Sequence, residues 1–168
     1  GKKITKLNIG EPDWRPPESV MKAAFDAMKA GKDKYASAAG DTQLRERIAE
    51  INGCNTKNVV IAPGSKWGIF ALMSINMKAG DNAIIFSPHW TAYNLMCKHV
   101  GAEPRIINLN MSNDYSIDFD ALENAIDANT RFIILNSPCN PTSHAWKEKE
   151  EEEVIEIARR KGIAVIAD

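Results

Sequence analysis

The stretch RFIILNSPCNPTSH, residues 131–144, joins an apolar run to a turn that is crowded with asparagine and proline. The run RFIIL (131–135) is short, continuous and partly β-branched, which is typical of a strand buried on both faces of a parallel sheet. The prolines fix the path of the chain that follows. They therefore allow Asn136 or Asn140 to present an amide at the end of the strand.

Strands and helices alternate on both sides of this run, from residue 58 onward. Apolar periodicity and capping signals predict helices at 17–30, 64–77, 91–100, 118–127 and 147–162, and a further one that is capped by Asp41 and runs to Ile51. Short apolar runs predict strands at 58–62, 83–87, 104–109, 131–135 and 163–167. This alternation indicates an α/β fold with a mostly parallel sheet between layers of helices. The first 57 residues lack the alternation and are expected to form a lead-in segment.

The composition restricts the classes of function. Of the 168 residues, 44% are hydrophobic and 26% are charged, so a sizeable core can be buried. A formal net charge of −1 argues against a nucleic-acid partner, and no apolar run approaches the roughly 20 residues that span a membrane. Cys54, Cys97 and Cys139 lack the spacing of a metal site. They are expected to be free thiols in the reducing cytoplasm.

Distinctive residues follow four of the predicted strands. In a parallel sheet the carboxyl ends of the strands lie along one edge, and ligands bind beside that edge. The four segments are PGSKWG after 58–62, PHWTAY after 83–87, NSPCNPT after 131–135 and Asp168 after 163–167. A helix such as the one that PGSKWG opens can bind phosphate with its first N–H groups, although a Gly-Ser start is more often only a cap. The P-loop spacing is absent.

Two of these strand ends add groups that suit a flat ring. Trp90 offers an aromatic face, although a lone tryptophan more often serves packing. Asp168 can pair with a cationic nitrogen, and it can equally cap a helix. Together the four ends predict a site for a flat, phosphorylated, cationic heteroaromatic ring. A doubly wound module for some other phosphorylated ligand is the simpler alternative.

Nearly the whole chain resembles the N-terminal half of the class I/II, fold-type I aminotransferases, of the aspartate/aromatic kind, which use pyridoxal 5′-phosphate (PLP). The order and spacing of these stretches match the family: LNIGEPDW (7–14), KYASAAGDTQLRERIAE (34–50), NVVIAPGSKWGIF (58–70), DNAIIFSPHWTAY (81–93), RFIILNSPCNPT (131–142) and IAVIAD (163–168). The resemblance implies a three-layer α/β/α large domain, here truncated. Residues 1–30 would be an N-terminal segment with the first helix, for substrate entrance and dimer contacts. Residues 31–168 would begin the PLP-binding domain.

The resemblance implies a phosphate site and two further contacts. Gly64, Ser65 and Lys66 would hold the cofactor phosphate, mainly through backbone amides. Tyr35 would reach the phosphate of the neighbouring subunit, and Gly10 would lie near the substrate carboxylate. The simpler interpretations are a loop anchor for Tyr35, a plain turn at Gly10 and a solvated side chain for Lys66.

The resemblance also implies how the ring is held. Trp90 would stack on the pyridine ring, and Asn140 would hydrogen-bond its phenolic oxygen. Asp168 would pair with the protonated ring nitrogen, which keeps the ring a good electron sink. Ser143 departs from the glycine that the family commonly has after NPT. Backbone angles that only glycine tolerates are therefore not expected there.

The implied reaction moves an amino group from an amino acid to a 2-oxo acid, in a homodimer. The family's Schiff-base lysine and the arginine for the substrate carboxylate lie downstream of the matched segments. The chain is therefore expected to be a fragment that contains no catalytic residue and is inactive alone. A PLP-dependent lyase or synthase on the same scaffold, and a non-catalytic PLP-binding module, remain alternatives. The sequence assigns no role to His89 or His144.

Overall fold

The computed structural model describes residues 4–5 and 10–168, so residues 7–9 of the LNIGEPDW stretch lie outside the described residues. The chain forms two compact units that divide between Ile61 and Ala62. Within the described ranges, no helix is long and apolar enough to cross a membrane. The predicted division after residue 30 concerns roles in the whole protein and stays a prediction.

The first unit is helical. It contains helix α1 (Glu18–Lys29), helix α2 (Thr42–Ile51) and a 3₁₀ turn (Thr56–Asn58). Asp41 caps α2 as predicted, because its Oδ1 accepts a hydrogen bond from the Leu44 N–H at 2.9 Å. The Arg45 guanidinium donates to the carbonyls of Val59 at 2.7 Å and Thr56 at 2.8 Å. Arg45 thereby joins the helix to the turn that follows it.

The predicted strand at 58–62 is wrong. Asn58 belongs to the 3₁₀ turn, and Val59 has an extended backbone, with φ −108° and ψ 128°. Among the described residues, this extended segment pairs with no strand. The Ile61 N–H donates instead to the Ala39 carbonyl at 2.9 Å. An apolar run becomes a strand only when a neighbouring strand accepts its ladder of hydrogen bonds.

The second unit contains the predicted parallel sheet. Its elements are α3 (Ser65–Asn76), β1 (Asn82–Ser87), α4 (Thr91–His99), β2 (Glu103–Asn108), α5 (Phe119–Ala125), β3 (Thr130–Leu135), α6 (Glu148–Lys161) and β4 (Ala164–Ala167). The strand order is β2-β1-β3-β4, and every neighbouring pair is parallel. The α/β fold with a parallel sheet is therefore confirmed.

Two hydrophobic clusters lie on opposite faces of the sheet, because successive side chains of a strand point to opposite sides. Ile85 and Ile134 pack with residues of α3 and α4, including Met73. Ile84 and Ile133 pack with residues of α5 and α6. The central strands β1 and β3 are buried along most of their length, whereas the edge strands β2 and β4 are partly exposed. Burial on both faces is therefore a property of the two central strands.

Candidate active site

The carboxyl ends of β3 and β4 are joined by Asn136. The Asp168 N–H donates to the Leu135 carbonyl at 3.0 Å, which continues the ladder between the strands. The Asn136 Nδ2 donates to the Asp168 carbonyl at 2.7 Å, and its Oδ1 accepts from the Asn140 N–H at 2.8 Å. The structure thus separates the two asparagines. Asn136 fixes the turn, while Asn140 is exposed at the edge of the sheet.

Tyr93 holds the carboxylate of Asp168. Tyr93 lies in the first turn of α4 and is 1% exposed, and its hydroxyl donates a hydrogen bond to the Asp168 Oδ2. Burial, and then the hydrogen bond to Asp168, raise the pKa of Tyr93 above its usual value, so the hydroxyl stays protonated and remains a donor. Tyr93 is not among the site residues that the sequence predicts. Its position three residues after Trp90, on one side of a helix, is the signal that could have found it.

Trp90 connects this pair to the start of α3. Its ring meets the Tyr93 ring edge to face, with centroids 5.4 Å apart and an interplanar angle of 87°. The Lys66 ammonium lies 5.1 Å from the Trp90 ring centroid, within the range of a cation–π contact. The side chain of Lys66 therefore contacts Trp90, although the residue is exposed overall.

The amino end of α3 begins with Gly64 and Ser65. Gly64 has φ +93° and ψ 158°, a backbone conformation that glycine adopts without steric cost. A Cβ at Gly64 would meet no atom within 4 Å, so conformation rather than crowding requires glycine there. Within the described residues, no side chain caps this helix. The first N–H groups of a helix lack acceptors inside it and favour an anion.

Ser143 corrects one expectation. Its φ is +60°, in the left-handed region that glycine adopts most readily. The Ser143 N–H donates to the Cys139 carbonyl at 2.7 Å, and the Cys139 N–H donates to the His144 carbonyl at 2.7 Å. These bonds close a tight turn, which requires the left-handed conformation even though the residue is serine.

Gly10 and Tyr35 belong to the first unit. Both residues are exposed, and a Cβ at Gly10 would meet no atom within 4 Å among the described residues. Neither observation tests the roles predicted for them. Those roles rest on the resemblance alone.

The predicted residues of the second unit form one continuous group. Contacts run from Lys66 to Trp90, Tyr93 and Asp168, and from Asp168 through Asn136 to Asn140. The group offers helix N–H groups and an ammonium for a phosphate, an aromatic face for a ring, and a carboxylate for a basic nitrogen. These donors and acceptors fit PLP. The fold and this edge define the class of α/β proteins with a parallel sheet, in which ligands commonly bind beside the carboxyl ends of the strands.

Comparison with known proteins gives the family. The family model described as aminotransferase class I and II matches residues 2–168. The chain therefore belongs to the class I and II aminotransferases, a family that uses PLP.

Individual relatives agree with this assignment. The chain is 32% identical over 176 positions to an aspartate aminotransferase of Sulfolobus acidocaldarius, covering 100% of this chain and 44% of the relative. The aspartate aminotransferase of Thermus thermophilus with maleate has a TM-score of 0.94 at 29% identity, covering 96% of this chain and 44% of that one. An alanine aminotransferase from Pyrococcus furiosus has a TM-score of 0.91 at 28% identity, and the match covers 99% of this chain and 45% of that one. The chain thus spans less than half the length of these proteins.

Proposed function

We propose that the protein is a PLP-dependent aminotransferase that moves an amino group between an amino acid and a 2-oxo acid. One observation carries the proposal: in a member of this family, Lys66, Trp90, Tyr93, Asp168 and Asn136 form one continuous group at the carboxyl edge of the sheet. Lys66, Trp90 and Asp168 have the chemistry that parts of PLP require, and Tyr93 and Asn136 hold Asp168 in position.

The phosphate is proposed to bind at the amino end of α3. The N–H groups of Ser65 and Lys66 and the positive end of the helix dipole favour a dianion. Gly64 supplies the conformation that starts the helix without a side chain over its end. The Lys66 ammonium adds positive charge nearby while it contacts the face of Trp90.

The ring is proposed to lie against Trp90, with its nitrogen at Asp168. Bound there, PLP supplies an electron sink that stabilises negative charge at the substrate Cα. The Asp168 carboxylate keeps the ring nitrogen protonated. The Tyr93 hydroxyl fixes the carboxylate by its hydrogen bond. The exposed Asn140 amide is proposed to bind the phenolic oxygen of the ring.

The first unit is proposed to serve the substrate and a second subunit. Gly10 would lie near the substrate carboxylate, and Tyr35 would contact the phosphate held by the other subunit of a homodimer. The side chain of Tyr35 is fully exposed, which suits a contact outside its own unit. Residues 1–30 are proposed to form the substrate entrance and part of the dimer contacts. Three free cysteines support a cytoplasmic location.

The catalytic lysine is proposed to lie in the part of the relatives' length that this chain does not span. The 168 residues are then expected to bind parts of PLP without transferring an amino group. A lyase or synthase with the same PLP site differs in groups that act on the substrate. A non-catalytic PLP-binding module would bind the cofactor and turn over no substrate.

A visible absorption spectrum of the protein expressed from its complete gene tests the proposal. With PLP, an absorption band in the visible range is expected, and adding an amino acid should shift it. Formation of the matching 2-oxo acid, and its dependence on a second 2-oxo acid, separates transfer from a lyase or synthase reaction. A band without turnover would favour the binding module. No band with added PLP would contradict the proposal.

A further inference from the structure

His89 lies between strand β1 and helix α4, directly before Trp90. Its Nδ1 lies 2.9 Å from the carbonyl oxygen of Trp90. A carbonyl oxygen can only accept a hydrogen bond, so the His89 Nδ1 carries a proton and donates it. The bond therefore fixes the tautomer of the neutral His89 ring, with Nδ1 protonated and Nε2 unprotonated.

The Trp90 carbonyl is the first acceptor of helix α4. Trp90 is the residue that precedes the helix, and the Tyr93 N–H donates to the same carbonyl at 3.2 Å. A carbonyl oxygen has two lone pairs and can accept from both donors. The His89 ring and the backbone of Tyr93 are therefore joined through one atom of Trp90.

This carbonyl lies between two parts of the candidate site. The Trp90 ring contacts the Lys66 ammonium, and the Tyr93 hydroxyl binds Asp168. The partly buried His89 ring lies beside them, with its centroid 6.4 Å from that of Tyr93. A shift of the Trp90 carbonyl would change the direction of the Trp90 side chain and the start of the helix that carries Tyr93.

A second side chain anchors the same loop. The Cys139 Sγ donates to the Pro88 carbonyl at 3.3 Å, from the turn that also contains Asn140. The loop thus keeps one anchor when the His89 bond is removed. Loss of that bond is therefore expected to change the orientation of Trp90 without unfolding the loop.

We propose that His89 is a positioning residue for the PLP ring. Its Nδ1–H holds the Trp90 carbonyl and so fixes the angle at which the Trp90 indole faces the ring. His89 acts through Trp90 rather than on PLP itself. The role toward PLP rests on the proposed function, whereas the hydrogen bond and the tautomer of His89 do not.

Nitrogen NMR of the protein expressed from its complete gene, with isotopically labelled histidine, tests the hydrogen bond. The His89 signals are assigned by their loss in His89→Asn. At a pH where the ring is neutral, the tautomer with a proton on Nδ1 is expected, with and without PLP. A ring with its proton on Nε2, or a mixture of the two tautomers, would overturn the proposal.

Two matched variants test the positioning role. His89→Asn keeps an amide donor near the position of Nδ1, whereas His89→Gln moves the amide toward the position of Nε2. In a titration with PLP, His89→Gln is expected to weaken the affinity by about fivefold, the effect of losing one hydrogen bond. His89→Asn should stay within about twofold of the wild-type affinity.

Circular dichroism of bound PLP in the visible range gives a second measurement, because it depends on how the ring is oriented in the protein. The signal is expected to change in His89→Gln and to be restored in His89→Asn. His99→Gln, at the exposed end of α4, is the control and should leave both the affinity and the signal unchanged.

The outcomes separate this inference from the proposed function. Equal affinities in His89→Asn and His89→Gln, with normal PLP binding in the wild type, would overturn the positioning role and leave the proposed function intact. Failure of the wild type to bind PLP would overturn the proposed function, and the tautomer would still decide the hydrogen bond. If His89→Gln does not fold, the wild-type tautomer and the affinity of His89→Asn still provide the tests.

Discussion

Polar side chains at the two ends of the parallel sheet differ in their hydrogen bonding and in their accessibility. At the amino end, buried Asn82 donates to the Asp127 Oδ1 at 2.9 Å and accepts from the Thr130 Oγ1 at 2.8 Å. Arg105 donates to the second Asp127 oxygen at 2.6 Å. The polar groups there are bound by one another. They form a closed network that joins the starts of β1 and β3, two neighbouring strands.

At the carboxyl end, polar groups are held in position but remain accessible. Tyr93 and Asn136 hold Asp168, and both Asp168 and Asn140 are exposed. The N–H groups at the start of α3 carry no side-chain cap among the described residues. A network that is internally satisfied stabilises the fold, whereas fixed and accessible polar groups are available to a ligand. The comparison therefore predicts that substitutions at the two ends affect different properties.

The largest effect is expected for Asp168→Asn at the carboxyl end. The change removes the charge that pairs with the ring nitrogen but keeps an oxygen that can accept from Tyr93. Amino-group transfer by the full-length protein should fall on the order of 10²–10³-fold, the size of losing one electrostatic contact. The free energy of unfolding should change little because Asp168 is exposed. Steady-state kinetics and denaturant unfolding measure the two effects, with the exposed Asp120→Asn as the control.

Tyr93→Phe should have a smaller effect in the same direction. It removes the hydroxyl that binds Asp168 and keeps the buried ring. Loss of one charge-assisted hydrogen bond corresponds to about a tenfold loss of transfer rate. The visible spectrum of the PLP-bound protein should shift because the carboxylate loses its fixed position. An unchanged rate and spectrum would show that Asp168 is held without Tyr93.

Asn82→Ala at the amino end should lower stability instead. Asn82 is 1% exposed, and its removal takes hydrogen bonds from Asp127 and from the buried Thr130. The expected loss is about 2–3 kcal/mol in the free energy of unfolding. Asn76→Ala, on the exposed side of α3, is the matched control and should stay within about 0.5 kcal/mol. A similar loss in both variants would contradict the closed network.

Lowering the pH should also reduce the free energy of unfolding through Asp127, at the amino end of the sheet. The hydrogen bond from Asn82, the Asn129 N–H and the Arg105 guanidinium lower the pKa of Asp127 from 3.8 to about 2. Because the folded pKa lies below the unfolded one, this contribution to stability is complete above pH 3.8 and is lost as the pH falls toward about 2. The difference in unfolding free energy between wild type and Asp127→Asn should therefore narrow in that window. A difference that is independent of pH would contradict the lowered pKa.

The smallest expected effect is a gain from Ser143→Gly. Glycine removes the steric cost of φ +60° but raises the conformational entropy of the unfolded chain. The net stabilisation should be about 0.5 kcal/mol in the free energy of unfolding. Ser74→Gly, within α3, makes the same chemical change in a helix and should destabilise by about 0.5–1 kcal/mol. A loss of stability in Ser143→Gly would contradict the left-handed conformation.

The sequence predicts most of the fold because the signals for its helices and central strands are local. The Asp41 cap and the run at 131–135 each determine an element within a few residues. The prediction of a strand at 58–62 is wrong because a strand needs a neighbouring strand to pair with, which a local apolar run does not reveal. The partial exposure of β2 and β4 depends on strand order, which the sequence leaves open.

Less of the candidate site than of the fold can be predicted from the sequence, because the contacts of the site join residues that are far apart in the chain. Tyr93 and Asp168 are 75 positions apart, and only the fold brings them together. The residue pattern without the resemblance does not distinguish Asn136 from Asn140, whereas the hydrogen bonds that Asn136 makes do. The left-handed backbone of Ser143 likewise follows from the turn rather than from the residue type.

The most direct test measures two properties in Asp168→Asn and Asn82→Ala of the full-length protein: PLP-dependent amino-group transfer and the free energy of unfolding. Asp168→Asn is expected to lose transfer and keep its stability. Asn82→Ala is expected to lose stability and, where folded, to keep transfer. If both variants lose the two properties together, or if Asp168→Asn keeps its transfer rate, the assignment of the carboxyl end as the PLP site is contradicted.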